Sequence, residues 1–288
     1  MKKSYQHTIS TTVKCSGIGV HSGKVVNMVF KPDLPNTGIT FVRTDVTNKD
    51  NRIKADFKNV HKTNLGTTLV NESGTEIATV EHLMSGIWGA DIDNLIVEVD
   101  NIEVPILDGS SEPFIFLANC AGIEKQNEYR KFLKINKKIT VSNESNTTSC
   151  SIEPDNDFSV DFSIEFPNKV IGKQIFSYQS NKSDFKSSIS RARTFGLAEE
   201  IEHLRNNGLA LGGSLNNAIV VDKDKVLNPD GLRFDDEFVR HKILDAIGDL
   251  YLCGLPILGK YSGNKSGHDL NNKLLREVFS DKANYEIL

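Results

Sequence analysis

The sequence predicts an α+β fold in two halves of similar order, and three observations carry that expectation. Residues 5–44 alternate apolar and polar side chains, as in Thr12-Val13-Lys14-Cys15 and Val25-Val26-Asn27-Met28-Val29-Phe30. Gly17, Gly19, Gly23 and the Pro32–Pro35 turn punctuate them, which reads as antiparallel strands. A helix carrying a histidine follows, and the order of strands and then a histidine-bearing helix returns in the second half. His82 and His241 are each followed seven positions later by a glycine, Gly89 and Gly248. This weak repeat suggests an internal duplication.

The elements are justified in order. A helix starts at about Thr79, a residue type suited to capping an N-terminus. Val80, Leu83, Met84, Ile87 and Trp88 fall on one face of it at helical spacing. Asn94–Val99 reads as a strand and Pro113–Cys120 as a second helix. Glu124–Lys131 is the most polar stretch near the middle, which predicts a linker between domains at 1–126 and 131–288. After it, Phe132–Val141, Ser149–Glu153 and Phe158–Phe166 read as strands. A short helix is expected near Phe185–Ile189, a strand at Asn217–Val221, a long helix over 234–252 and a last helix over about 270–279.

Composition narrows the function. The chain has 288 residues, room for one large domain or two ordinary ones. With 34 Lys and Arg against 38 Asp and Glu the formal charge is −4. That argues against a nucleic-acid partner, which calls for a basic excess. Cys15, Cys120, Cys150 and Cys253 form no C-x-x-C, so a thiolate zinc site and a disulfide framework are both disfavoured. The start, MKKSYQHTIS, lacks an apolar signal core. The longest near-apolar stretch, Pro113–Ile123, is about half of the roughly 20 residues that a membrane span needs. A cytoplasmic protein without stable membrane insertion is expected. Nothing in the pattern sets the oligomeric state; a monomer is the expectation.

Two helices concentrate the chemistry. Glu81 and His82 lie in the first turn after Thr79, where the helix dipole favours a neutral imidazole, the form a metal needs. His82 is expected to project roughly opposite the apolar face, so on these residues alone a surface pair that merely suits the dipole is the favoured reading. His241, Asp245 and Asp249 are spaced i, i+4, i+8 and line one face of the long helix. That helix is apolar nearly all round, so it is expected to be buried, and a buried His with two Asp needs partners. H-x-x-x-D can share a metal between successive turns, or make a structural ion pair; both readings stand at this point. A metal set would be His82, His241 and Asp245, with Glu81 as base for a water. His268, in the glycine-flanked loop Lys265-Ser266-Gly267-His268, would pair with Asp249 as an imidazolium facing an oxyanion. Gly17-Ile-Gly19-Val-His21-Ser-Gly23 is not G-x-G-x-x-G and precedes a strand, so no phosphate loop is expected.

Five motifs in order, TVEHLMS, LDGSSEPF, SRARTFG, GLRFDDEFVRHKILDAIGDLYL and KSGHDLNN, resemble the UDP-3-O-acyl-N-acetylglucosamine deacetylases of Gram-negative bacteria, enzymes of the committed step of lipid A synthesis. The likeness runs from about Ile9 through the last helix. It implies two similar α+β domains, each a small sheet with two helices, the helices packed between the sheets and the active site at the junction. It implies Zn²⁺ on His82, His241 and Asp245, Glu81 as general base, and His268 as the oxyanion-stabilising acid with Asp249 behind it. Thr194 becomes a further oxyanion donor and Lys242 meets the UDP diphosphate. An insert around 194–217 forms a passage for the acyl chain, with Phe195, Leu197, Ile201, Ala210 and Gly213 as its walls. Where many members carry a cysteine near the zinc, this chain has Gly66. No room is expected after the last helix for the dehydratase domain fused in some relatives. Ligands of this kind also accept Fe²⁺. The competing readings are a metal amidohydrolase acting on another acylated amino sugar and a non-enzymatic α+β RNA-binding module.

Overall fold

The structure, a computed structural model, describes residues 4–288. In the first half, strands Val13–Ile18, Val25–Pro32, Leu95–Val99, Ile39–Arg43 and Arg52–Lys54 hydrogen-bond side by side in that order. Neighbours run antiparallel except Ile39–Arg43 beside Leu95–Val99. The alternation dictates which face is covered: Val26, Met28 and Phe30 are buried while Val25 and Asn27 face outward. A small antiparallel sheet of Val60–Lys62, Thr68–Val70 and Glu76–Ile77 leads into the first helix. Residues 123–129 are not an open linker. They form a strand, Ile123–Tyr129, antiparallel to Tyr5–Ile9. The pairing uses backbone groups, so nearly all side chains of this strand stay exposed and its polarity is no obstacle.

The second half is built on a seven-stranded sheet. Strand Ile257–Asn264 lies at its centre, antiparallel to Ser149–Glu153 and parallel to Leu133–Ile135 and Phe158–Glu165. Strands Ile139–Ser142, Lys173–Gln179 and Tyr285–Ile287 complete it. The expected strand 132–141 is therefore two short strands broken at Asn136–Lys138. A separate three-stranded sheet is formed by Phe195–Leu197, Ile219–Asp222 and Lys225–Val226.

Six helices are described: α1 (Glu81–Gly89), α2 (Glu112–Ala121), α3 (Phe185–Ser188), α4 (Ala198–Asn206), α5 (Glu237–Tyr251) and α6 (His268–Ser280). Helix α2 lies against strand Val13–Ile18 and α6 against the strands at 139–142 and 149–153. Helices α1 and α5 pack on each other between the two halves, and one continuous apolar core runs through both, from Met28 and Phe41 through Leu83 and Ile87 to Val239 and Ile247. Of the paired glycines, Gly248 serves this packing and Gly89 the contact with α3. A Cβ on Gly248 would fall on the carbonyl oxygen of Glu81, and one on Gly89 would fall on the ring of Phe185.

Three boundaries differ from expectation. Thr79 does not cap α1: its φ is +59°, and its hydroxyl donates to Glu103 Oε1 at 3.1 Å, so Val80 takes the cap position without a side-chain bond. Helix α5 begins at Glu237 because Asp236 is not helical (φ −112°, ψ 32°). His268 is the first residue of α6, not a loop residue, with Gly267 as its cap. No described helix is long and apolar enough to cross a membrane.

Candidate metal centre and active site

His82 on α1 and His241 on α5 meet because the helices cross where Gly248 lets them approach. The two imidazoles stand edge to face, 4.8 Å between ring centres. Each places Nε2 3.4 Å from the same oxygen, Asp245 Oδ1. All three residues are buried, and one donor atom of each lies within 4.8 Å of the others. His82 is thus not on the surface, because α5 covers the side of α1 that the apolar stripe leaves open.

The hydrogen bonds decide the chemistry of this set. The Ala192 carbonyl can only accept, so His241 Nδ1, 3.0 Å away, carries the proton and donates. Burial pushes the His241 imidazolium down to about 4, against the pull of Asp245, so the ring is neutral and Nε2 keeps its lone pair. Burial would raise the Asp245 carboxyl, but the facing His241 and Lys242 hold it well below the ordinary range. Lys242 Nζ donates to Asp245 Oδ2 at 2.6 Å, leaving Oδ1 buried and without a hydrogen-bond donor. A buried anionic oxygen with no donor, facing imidazole nitrogens, is a site made for a cation. Two nitrogens and a carboxylate suit Zn²⁺ or Fe²⁺.

Two further groups face the same point. Glu81 is buried, and its Oε2 accepts the Thr67 N–H at 2.9 Å. Its Oε1 accepts no hydrogen bond among the described residues. Gly66, with φ +152°, brings the chain close: a Cβ there would stand 2.8 Å from Oε1. Burial raises the Glu81 carboxyl, with His268 and His82 opposing. On the other side His268 Nδ1 meets Asp249 Oδ2 at 2.8 Å. Burial disfavours its charge, but Asp249 more than offsets this and raises the imidazole to about 9, so it is cationic at neutral pH.

Asp249 is held by three donors: Thr67 Oγ1 at 2.6 Å on Oδ1, and His268 Nδ1 with Asn271 Nδ2 at 2.8 Å on Oδ2. Tyr261 O–H donates to Asn271 Oδ1 at 2.7 Å and so fixes that amide. Sequence reasoning missed Thr67, Asn271 and Tyr261. Only Asn271 left a trace, since it lies one turn after His268 on α6.

Glu81, His82, His241, Asp245 and His268 line a cavity of about 940 Å³. Thr194, Lys242, Phe195, Leu197, Ile201, Ala210 and Gly213 all line it too. Asp249 does not; it sits behind His268. Thr194 is set by backbone bonds from its N–H to Gly109 and from Ile219 to its carbonyl, both 2.8 Å. Residues 211–212 dock on the first half: Gly212 N–H donates to the Val20 carbonyl and Leu211 N–H to that of His21. His21 lines the wall as well, its backbone N–H and that of Ser22 held by Glu103 at 3.0 Å each.

Comparison with known proteins agrees with this geometry. Residues 6–280 match the model of the family described as LpxC, UDP-3-O-acyl N-acetylglycosamine deacetylase. The chain is 48% identical over 285 residues to the UDP-3-O-acyl-N-acetylglucosamine deacetylase of Haemophilus influenzae (strain PittEE), covering 98% of this chain and 92% of that protein. The proteins of the same name from Pasteurella multocida (strain Pm70) and Histophilus somni (strain 129Pt) are 48% and 47% identical over the same shares of each chain. With a family match over nearly its whole length and relatives this similar, the chain belongs to the UDP-3-O-acyl-N-acetylglucosamine deacetylase family.

Proposed function

We propose that the protein is a cytoplasmic zinc-dependent deacetylase that hydrolyses the N-acetyl amide of a UDP-linked 3-O-acyl-N-acetylglucosamine to the free amine and acetate. Residues 1–126 and 131–288 are its two domains, and the 194–217 insert is the passage wall. The observation that carries this reading is the buried, donorless Asp245 Oδ1 facing the Nε2 atoms of His82 and His241 in the wall of a cavity of about 940 Å³. Family membership names the substrate class.

His82, His241 and Asp245 would hold the metal, which would supply Lewis acidity for amide hydrolysis. Glu81 accepts the proton of the attacking water through Oε1, while the Thr67 N–H keeps Oε2 in place. The His268 imidazolium points its charge at the oxygen that becomes negative, and Thr194 adds a hydroxyl donor. As an acid, His268 then supplies a proton for the departing amine. Lys242 lines the cavity, where its charge can meet the diphosphate and steady Asp245 at once. The apolar wall of Phe195, Leu197, Ile201 and Ala210 takes the acyl chain out of water.

Metal content and acetate release, measured on the same preparation, test the reading. One zinc or iron per chain and acetate from the UDP-linked substrate are expected. A metal-replete protein that releases no acetate from it, yet does so from another acylated amino sugar, would reassign the substrate.

A further inference from the structure

We infer that Thr67 is a positioning residue that couples the base Glu81 to the His268–Asp249 pair. The inference rests on the roles proposed above for Glu81 and His268. Thr67 is fully buried at the start of strand Thr68–Val70 and touches both sides of the reaction with two different groups. Its backbone N–H donates to Glu81 Oε2 at 2.9 Å. Its hydroxyl lies 2.6 Å from Asp249 Oδ1, and an ionised carboxylate can only accept, so the hydroxyl donates.

Deleting the N–H is impossible without proline, but the hydroxyl can be removed alone. Without it, Asp249 Oδ1 would be a buried carboxylate oxygen with no donor, and charge-assisted bonds in such surroundings are short and strong. The hydroxyl therefore does two things. It fixes the plane of the Asp249 carboxylate, and with it the direction of His268. It also draws off negative charge that would otherwise act on the imidazole. The charged groups that face His268 are Asp249 and Asp245 on α5 and Glu81 on α1, with Lys242 against the same carboxylates. No other described side chain donates to Asp249 Oδ1, so nothing present takes the place of the hydroxyl.

The test is Thr67→Val, which keeps shape and N–H, beside Thr67→Ser, which restores the hydroxyl. In Thr67→Val the His268 imidazole, followed by NMR, should titrate at higher pH, because Asp249 loses a donor. The basic limb of kcat should move the same way. At the pH optimum kcat should fall about 10-fold or more, in the range seen when outer hydrogen-bond partners of a site are removed, with KM little changed. Thr67→Ser should return both readings toward wild type. An unshifted His268 titration in folded, metal-replete Thr67→Val overturns the inference. Should the Val variant not fold, Thr67→Ser and Asn271→Asp decide: unaltered His268 titration in Asn271→Asp, which changes the other side of the same carboxylate, means that Asp249 does not govern His268, and the inference fails. The NMR reading needs no turnover, so failure of wild-type acetate release condemns the proposed function and leaves the coupling to be judged on its own.

Discussion

The carbonyl oxygen of Glu81 occupies the place where a side chain of residue 248 would stand, so α1 and α5 touch backbone to backbone at the first turn of α1, which carries Glu81 and His82. Gly248→Ala forces the helices apart. We expect a loss of roughly 1–3 kcal/mol, the usual cost of overpacking, together with weaker metal binding, because His82 moves with the first turn of α1. Urea denaturation and metal titration of the variant check this; unaltered stability would mean that the helices separate freely.

His241→Ala removes a donor whose orientation the Ala192 carbonyl fixes. Metal content should fall far below one per chain and activity with it. Full occupancy with normal turnover in this variant would show that the ligand set is wrong.

Glu81→Gln retains the Thr67 bond through its amide oxygen yet cannot accept a proton. The metal should stay, and kcat should drop by about 10²–10⁴, the usual contribution of a general base. A metal-replete variant with near-normal kcat would assign the base elsewhere.

In the proposed roles Glu81 acts ionised and His268 protonated, so the pH profile of activity should be bell-shaped. Burial lowers and Asp249 raises the His268 imidazole, with the net at about 9, so the basic limb falls there. Asp249→Asn should move that limb to lower pH. The same group affects stability. Its folded value lies above the ordinary 6.5, so its stabilising contribution is complete below 6.5 and is lost as pH rises through about 9. Thermal unfolding of wild type and His268→Gln across pH 6–10 should converge at the alkaline end.

Shortening the acyl chain of the substrate should cost kcat/KM progressively, by up to about fourfold per methylene, or about 0.8 kcal/mol. Substrates of graded chain length measure this. Equal kcat/KM for acylated and unacylated UDP-N-acetylglucosamine would mean that the cavity beside Phe195 and Ile201 does not take the chain.

The helices that carry these groups are legible because helical spacing survives in the sequence. His241, Asp245 and Asp249 are on one face at any helix boundary within two residues, so the late start of α5 at Glu237 changes nothing. His82 is harder to place. Its own helix puts it opposite the apolar stripe, and only the packing of α5, a tertiary fact, buries it. Thr79 shows the converse: its type suits a cap, but a buried carboxylate, Glu103, competes for the hydroxyl and wins. Strand Ile123–Tyr129 hides because an edge strand with both faces wet has no apolar rhythm. Thr67 leaves no mark at all, since its partners Glu81 and Asp249 are joined to it only by the fold.

The hydroxyl bond from Thr67 to Asp249 spans 182 positions of chain. Contacts of such sequence separation form late, because a large loop must close before they return any energy. At about 5–20 residues per second, a ribosome needs roughly 10–40 s to travel that distance. For most of this interval the nascent chain carries Glu81 and His82 but lacks α5, which covers them and brings His241 and Asp245 to face His82. On the proposed ligand set, metal capture is therefore a chronometer of assembly: it would mark the moment when the second half has been made and has docked on the first.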